Sequence, residues 1–216
     1  MSRAAARNRA GARLGRRGTL FVVSAPSGAG KTTLCREARL CIPDLAYSVS
    51  ATTRAPRPGE VNGVDFRFVT EREFRTMLER GELAEWATVH GNMYGTPARP
   101  LEAALADGKD VLLDIDTQGA AQLRTRYPEA VLVFIVAPSM AELEQRLRER
   151  RSEPGSAIAT RLERARHEVT LWRRYDYLIV NRDVKEAMEQ LESIIQAERC
   201  RVARLALTFP DLEVPN

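Results

Sequence analysis

Cysteine, histidine and lysine are scarce in this chain of 216 residues, and each scarcity excludes something. The three cysteines, Cys35, Cys41 and Cys200, are odd in number and lack metal-ligand spacing, which argues against a disulfide framework or a zinc cage and for reduced thiols in a cytoplasmic protein. His90 and His167 are far apart in sequence, and neither has a nucleophile or a carboxylate at a telling spacing, so they read as solvated or internally satisfied rings. Lysine stands only at positions 31, 109 and 185, although Lys and Arg together number 33. No apolar run approaches the roughly 18 residues that a membrane span requires. Acidic residues are missing from Met1 to Gly18, where Arg3, Arg7, Arg9, Arg13, Arg16 and Arg17 account for the net charge of +4 and leave the remainder close to neutral. That stretch has no apolar segment of the kind a secretory signal needs. It reads as a disordered extension, ahead of an anionic-surface or RNA-touching arm or, in a eukaryote, an organelle transit peptide. A specific nucleic-acid partner and a membrane partner are not indicated.

What is present begins at Thr19. Leu20-Phe21-Val22-Val23 is β-branched and aromatic, the composition of a buried strand, and it runs directly into residues that only a tight loop tolerates. Ala25-Pro26-Ser27-Gly28-Ala29-Gly30-Lys31-Thr32 matches the phosphate-binding loop G-x-x-x-x-G-K-[ST], with Ala25 in place of the first glycine. That replacement needs only a small residue with ordinary dihedrals. A helix is predicted from Thr32 to Cys41. Loop N–H groups and the helix N-terminus can wrap a polyphosphate, Lys31 can reach its outer phosphates, and the Thr32 hydroxyl can meet Mg²⁺. In a chain so poor in lysine, Lys31 marks a place that needs a point-like ammonium. A glycine-rich turn that merely contains Lys is the bland alternative, and the strand before and helix after speak against it.

Two prolines and two glycines fix the stretch from Ser50 to Phe66 as loop, and it presents Arg54 and Arg57 three residues apart, a spacing that suits a second phosphate. Loop arginines are more often solvated. Thr70 and Glu73 form a capping box for a helix that stops at Gly81, and Leu83 to Trp86 and Gly91 to Thr96 read as short strands. Pro97 to Asp107 reads as a helix closed by Gly108. Val111 to Asp116 is a buried strand ending in Asp114 and Asp116, where a Mg²⁺ shell could be held through water, although Asp116 could equally cap the next helix. After a strand at Val131 to Val136, Ser139 to Glu142 opens a helix reaching Arg150. The arginine-rich run that follows is either a solvated face or a lid that closes over polyphosphate. Tyr177 to Val180 reads as the last strand, before Asn181, and Asp183 caps a final helix reaching about Leu207. Strands alternating with helices imply an α/β fold built on a parallel sheet with helices on both faces.

The segment Thr52-Thr53-Arg54-Ala55-Pro56-Arg57-Pro58-Gly59-Glu60, with LDID-x-QG at Leu113 to Gly119 and the phosphate loop, resembles the guanylate kinases over roughly Thr19 to Leu207. The resemblance implies a core at 19–49, 97–145 and 175–207, a GMP-binding lobe at 50–96, a helical lid at 146–174 and a tail at 208–216. It implies that Arg54, Arg57 and Tyr94 hold the GMP phosphate, that Ser50, Glu85 and Thr96 read guanine, and that Asp114 lies in the GMP and Mg²⁺ region. It further implies that Arg146, Arg150 and Arg161 are lid arginines and that Asn181 lies near the adenine. ATP bound along Ala25 to Thr33 would be the phosphoryl donor, with Mg²⁺ at Thr32 and Asp116. Lys31, Arg54, Arg57, Arg150 and Arg161 would then carry the transfer. Phe66 departs from a usual Tyr, and Met93 from another. GMP, with dGMP beside it, is the expected acceptor, and a second copy of the chain is a compatible partner. The alternatives are a kinase for another nucleoside monophosphate, which Ser50 with Glu85 opposes, and a non-catalytic binding module of the same shape, which Lys31 and Thr32 oppose.

Overall fold

The computed structural model describes residues 13–89, 91–149 and 155–208. In chain order the elements are β1 (Arg13–Arg16), β2 (Leu20–Ser24), α1 (Lys31–Cys41), β3 (Leu45–Tyr47), β4 (Ala51–Thr52), β5 (Arg67–Phe68) and α2 (Glu71–Glu79). Then come β6 (Leu83–Val89), β7 (Asn92–Pro97), α3 (Ala98–Ala106), β8 (Asp110–Asp114), α4 (Thr117–Arg126), β9 (Val131–Val136) and α5 (Met140–Glu149). The chain continues through α6 (Gly155–Thr170), a 3₁₀ turn, β10 (Tyr177–Val180), α7 (Val184–Arg199), a second 3₁₀ turn and β11 (Leu205–Thr208).

Five strands form a parallel sheet in the order β10-β9-β2-β8-β3. Its strands are mostly apolar because both faces are covered, as parallel sheets require, with polar residues at strand ends such as Asp110, Asp114 and Ser24. Phe21 and Val23 of β2 point to the face packed by α1, α5, α6 and α7, where Leu34, Leu143, Ala165 and Leu191 meet them. Leu20 and Val22 point to the opposite face, against Leu101 of α3 and Leu123 of α4. A second sheet, β5-β4-β7-β6, is inserted between β3 and β8 and has a small core of its own, Ala51, Phe74, Met77 and Leu83. Its helix α2 begins as expected: Thr70 and Glu73 form the reciprocal capping box. Among the described residues no helix is long and apolar enough to cross a membrane.

The chain ends differ from the sequence reading. Arg13 to Arg16, expected within a disordered extension, form β1 and pair antiparallel with β11; Met1 to Ala12 lie outside the described residues. Helix α7 stops at Arg199, not near Leu207, and β10 is followed by a further strand. Two buried carboxylates explain both differences. Asp110, whose side chain is 0% exposed, accepts two bonds from Arg16, at 2.5 and 3.0 Å, one from Arg199 at 2.7 Å and one from the Thr19 N–H at 2.9 Å. Glu198, also buried, takes Arg201, Arg204 and the Tyr177 hydroxyl. Buried charge must be paired, so these acids draw both ends of the chain onto the strand ends remote from the phosphate loop. Part of the basic excess is therefore structural.

Candidate active site

The loop from Ala25 to Gly30 turns the chain from β2 into α1. Ala25 has no positive φ, as its place in the motif requires; among the described residues Asp44 is the one non-glycine residue with a positive φ. Gly30 at the helix N-terminus has φ 92°, and a Cβ there would stand 2.3 Å from Asn181 Nδ2. Only glycine serves both constraints. Helices α2, α4 and α7 are closed by Thr70, Asp116 and Asp183, but α1, like α3, has no side-chain cap and no acid in its first turn. Its first N–H groups and the positive end of its dipole are left for an anion.

Asn181, which the resemblance sets near the adenine, is tied to the phosphate loop. It is 2% exposed, and its amide donates to the Ala29 carbonyl at 2.8 Å. Arg146 donates in turn to the Asn181 carbonyl at 3.0 Å and pairs with Glu142. Both residues therefore brace the loop from behind. The reason is register: Asn181 directly follows β10, and its N–H still bonds the Val136 carbonyl of β9, which holds the residue under the loop. Lys31 is also more tied down than a surface lysine. Its ammonium contacts Asp114 Oδ1 at 2.5 Å and donates to the Ile115 carbonyl at 2.7 Å. Burial works against its charge, but the Asp114 carboxylate outweighs that and holds the ammonium above its ordinary value.

Two cavities adjoin here. One, of about 220 Å³, is lined by Ala25, Pro26, Ser27, Gly28, Gly30 and Arg161 among others. The other, of about 420 Å³, lies between α1 and the inserted sheet and is lined by Ser50, Arg54, Arg57, Glu85, Tyr94 and Asp114 among others. Lys31, Thr32, Val89 and Asp116 line both. The junction is thus a cation, a hydroxyl and a carboxylate between two chambers. Arg54 is preset in the larger chamber by a two-pronged pair with Glu60, 2.8 and 3.0 Å, and its guanidinium lies 5.4 Å from the centre of the Phe66 ring. That hydrogen bond raises Arg54 above its ordinary value and lowers Glu60. Glu85, on β6, is 4% exposed and accepts from the Thr96 hydroxyl at 2.6 Å. Burial pushes its carboxyl up to about 7 against the help of Thr96, and the Asp116 charge adds to the rise. Thr96, expected to read a base, is fully buried and donates its hydroxyl to Glu85.

Asp116 caps α4, its Oδ1 accepting the Gly119 N–H, while Oδ2 accepts from Gln118 at 3.4 Å; the carboxylate also lines both cavities. Arg150, like His90, lies outside the described residues. Two residues that the sequence reading passed over also line the smaller chamber. Arg164 of α6 donates to Glu168 at 3.0 Å and stands 3.7 Å from Asp116 Oδ2. Glu168 is buried, and burial raises its carboxyl despite the Arg164 charge. Arg164 follows Arg161 by three residues, one turn along the same helix face, and that spacing is the signal that could have found it. Ala165, between them and the sheet, lies in the main core, so this half of α6 is packed against the core.

The comparisons with known proteins agree with this arrangement. The sequence profile described as guanylate kinase matches residues 17–198. The guanylate kinase of Syntrophotalea carbinolica is 53% identical over 190 residues, 88% of this chain and 90% of that protein. The guanylate kinase of Geobacter metallireducens is 51% identical over 196 residues, 91% of this chain and 97% of the other. The crystal structure of guanylate kinase from Anaplasma phagocytophilum superposes with a TM-score of 0.75 at 35% identity, covering 90% of this chain and 93% of that one. A profile spanning most of the chain, half-identical relatives matched nearly end to end and a common fold leave one placement: the chain belongs to the guanylate kinase family.

Proposed function

We propose that this chain transfers the γ-phosphoryl group of ATP to the phosphate of GMP, ATP + GMP ⇌ ADP + GDP, and accepts dGMP in the same way. The observation that carries the reading is the shared wall of the two chambers: Lys31, Thr32 and Asp116 stand where a polyphosphate in one would face an acceptor phosphate in the other. The loop amides and Lys31 hold the outer phosphates of ATP. Arg54 and Arg57, with Tyr94, align the acceptor phosphate for in-line attack, and Ser50, Glu85 and Asp114 lie on the GMP side. Arg161 and Arg150 neutralise charge as the group moves. No general base is required, because a phosphate dianion is already the nucleophile, and positioning with charge neutralisation supplies the catalysis.

The donor set at the junction, the Thr32 hydroxyl and the Asp116 carboxylate, is hard oxygen and sparse. It suits Mg²⁺, which keeps several waters and takes one or two carboxylates beside phosphate oxygens. Thr32 and Asp116 would hold the ion, which would supply charge neutralisation beside the phosphates. Free cysteines at positions 35, 41 and 200 support a reducing compartment, and we place the protein in the cytoplasm. The inserted sheet with its own small core supports reading 50–96 as the GMP-binding lobe.

Guanine offers N1–H and the exocyclic amino group as adjacent donors that one carboxylate can accept together, whereas adenine presents an acceptor at N1. A site built around such donors rejects an analogue lacking them by factors on the order of 10⁴. A coupled ADP-release assay across GMP, dGMP, AMP and UMP tests the reading. GMP and dGMP should be turned over and AMP should be a very poor acceptor; AMP rates within about tenfold of GMP would reduce the assignment to an unspecified nucleoside-monophosphate kinase.

A further inference from the structure

Glu85 sits on β6, the edge strand of the inserted sheet, and strand β7 fixes only one side of it. The pairing with β7 is irregular between Leu83 and Glu85, so the ladder alone holds this position loosely. The other side is gripped by α4 at three points. Gln122 acts like a short strand toward residue 86: its Oε1 accepts the Trp86 N–H at 3.1 Å and its Nε2 donates to the Trp86 carbonyl at 2.6 Å. Arg126 donates to the Leu83 carbonyl at 2.8 Å. Between these, Gly119 lies directly against the carboxylate of Glu85: a Cβ built on Gly119 would stand 2.4 Å from Oε2 and 3.1 Å from Cδ.

We infer that Gly119 and Gln122 are positioning residues that set the Glu85 carboxylate for two-point recognition of guanine, an inference that rests on the base-reading role of Glu85 proposed above. Oε1 is fixed by Thr96 and Oε2 by the bare backbone at Gly119, while Gln122 fixes the depth of the strand. The same helix is capped by Asp116 through the Gly119 N–H, so the register of the base reader and the carboxylate at the junction are set by one rigid turn. A carboxylate displaced by a fraction of its own width keeps one bond to a base edge and loses the second. Guanine needs both bonds; hypoxanthine, which keeps N1–H and lacks the amino group, needs one.

The test uses the full-length chain with Gly119→Ala and, separately, Gln122→Met, which keeps length and bulk without hydrogen bonds. For each, kcat and KM are measured with GMP and with IMP at saturating MgATP, together with the KM for ATP and the Tm. The expected result is a fall of at least about tenfold in kcat/KM for GMP, with IMP within about threefold of wild type and KM for ATP within about twofold. A purely structural role lowers Tm or scales both acceptors alike. Equal losses on GMP and IMP, or undiminished GMP turnover in both variants, overturn the inference. Should Gly119→Ala fail to fold, Gln122→Met decides alone. Wild-type turnover of IMP equal to that of GMP would instead refute the guanine-reading role of Glu85 before any variant is compared.

Discussion

Recognition of GMP should weaken as pH falls through neutrality, and the reason is the burial of Glu85. In the empty site its carboxyl titrates near 7, not at the ordinary 4.5, because burial penalises the charged form more than the Thr96 hydroxyl favours it. The difference corresponds to about 3 kcal/mol spent on ionising the group before substrate arrives. Guanine supplies two donors that need the ionised form, so a proton on Glu85 competes with GMP. The ionised fraction of the free enzyme falls from about 0.9 at about pH 8 to about 0.1 at about pH 6, which lowers kcat/KM for GMP about tenfold from this group alone. The GMP phosphate itself titrates near a pKa of about 6, so the comparison is with Glu85→Gln, which meets the same substrate without a titrating carboxyl. The ratio of wild-type to variant kcat/KM should rise with pH and level off above about pH 8. A ratio independent of pH, or one with its midpoint near the ordinary 4.5 of a solvated glutamate, would refute the burial argument. Stability of the free protein has the opposite sign. The folded chain keeps a proton on Glu85 that the unfolded chain releases near 4.5, so this contribution is full below 4.5 and is lost as pH rises through about 7.

Asp110→Asn should lower Tm by about 10 °C or more, because it strands Arg16 and Arg199 beside a neutral group, while kcat stays within about twofold; a loss under about 3 °C in a melting curve would show the cluster to be dispensable. Since its partners hold Asp110 below the usual carboxylate range, its contribution is present above the ordinary 3.8 and is lost as pH falls through the lower folded value. Deletion of 1–18, which removes Arg16, should reproduce that destabilisation, whereas deletion of 1–12 should not. Lys31→Ala should reduce turnover by roughly 10³-fold and also lower Tm, since Asp114 loses its partner; a variant keeping a tenth of wild-type kcat would sink the assignment of this lysine. Phe66→Tyr adds a hydroxyl in the larger chamber, where the ring stands edge-on to Tyr94 at 6.1 Å. One hydrogen bond to a charged phosphate is worth about 1.5–3 kcal/mol at best, so KM for GMP should fall by at most about 10- to 100-fold; an unchanged KM would mean that Tyr94 already fills that role.

The sequence by itself determined the parts whose physics is local. Leu20 to Val23 followed by Ala25 to Thr32 reads as a buried strand entering a phosphate-loop turn, and Thr70 with Glu73 closes its own helix end. The alternation of apolar strands with helices dictated a parallel sheet covered on both faces. Arg54 and Arg57 were legible because a rigid loop presents them at a fixed spacing. Only the tertiary structure decided what depends on residues distant in the chain. Arg16 meets Asp110 across 94 positions, Asn181 meets Ala29 across 152, and Gln122 meets Trp86 across 36. No periodicity encodes such pairs, because each is fixed by how the layers stack. The same holds for charge. Glu85 and Glu60 are identical as letters, yet burial under α4 raises one and the hydrogen-bonded Arg54 lowers the other, so their proton affinities exist only in the folded chain.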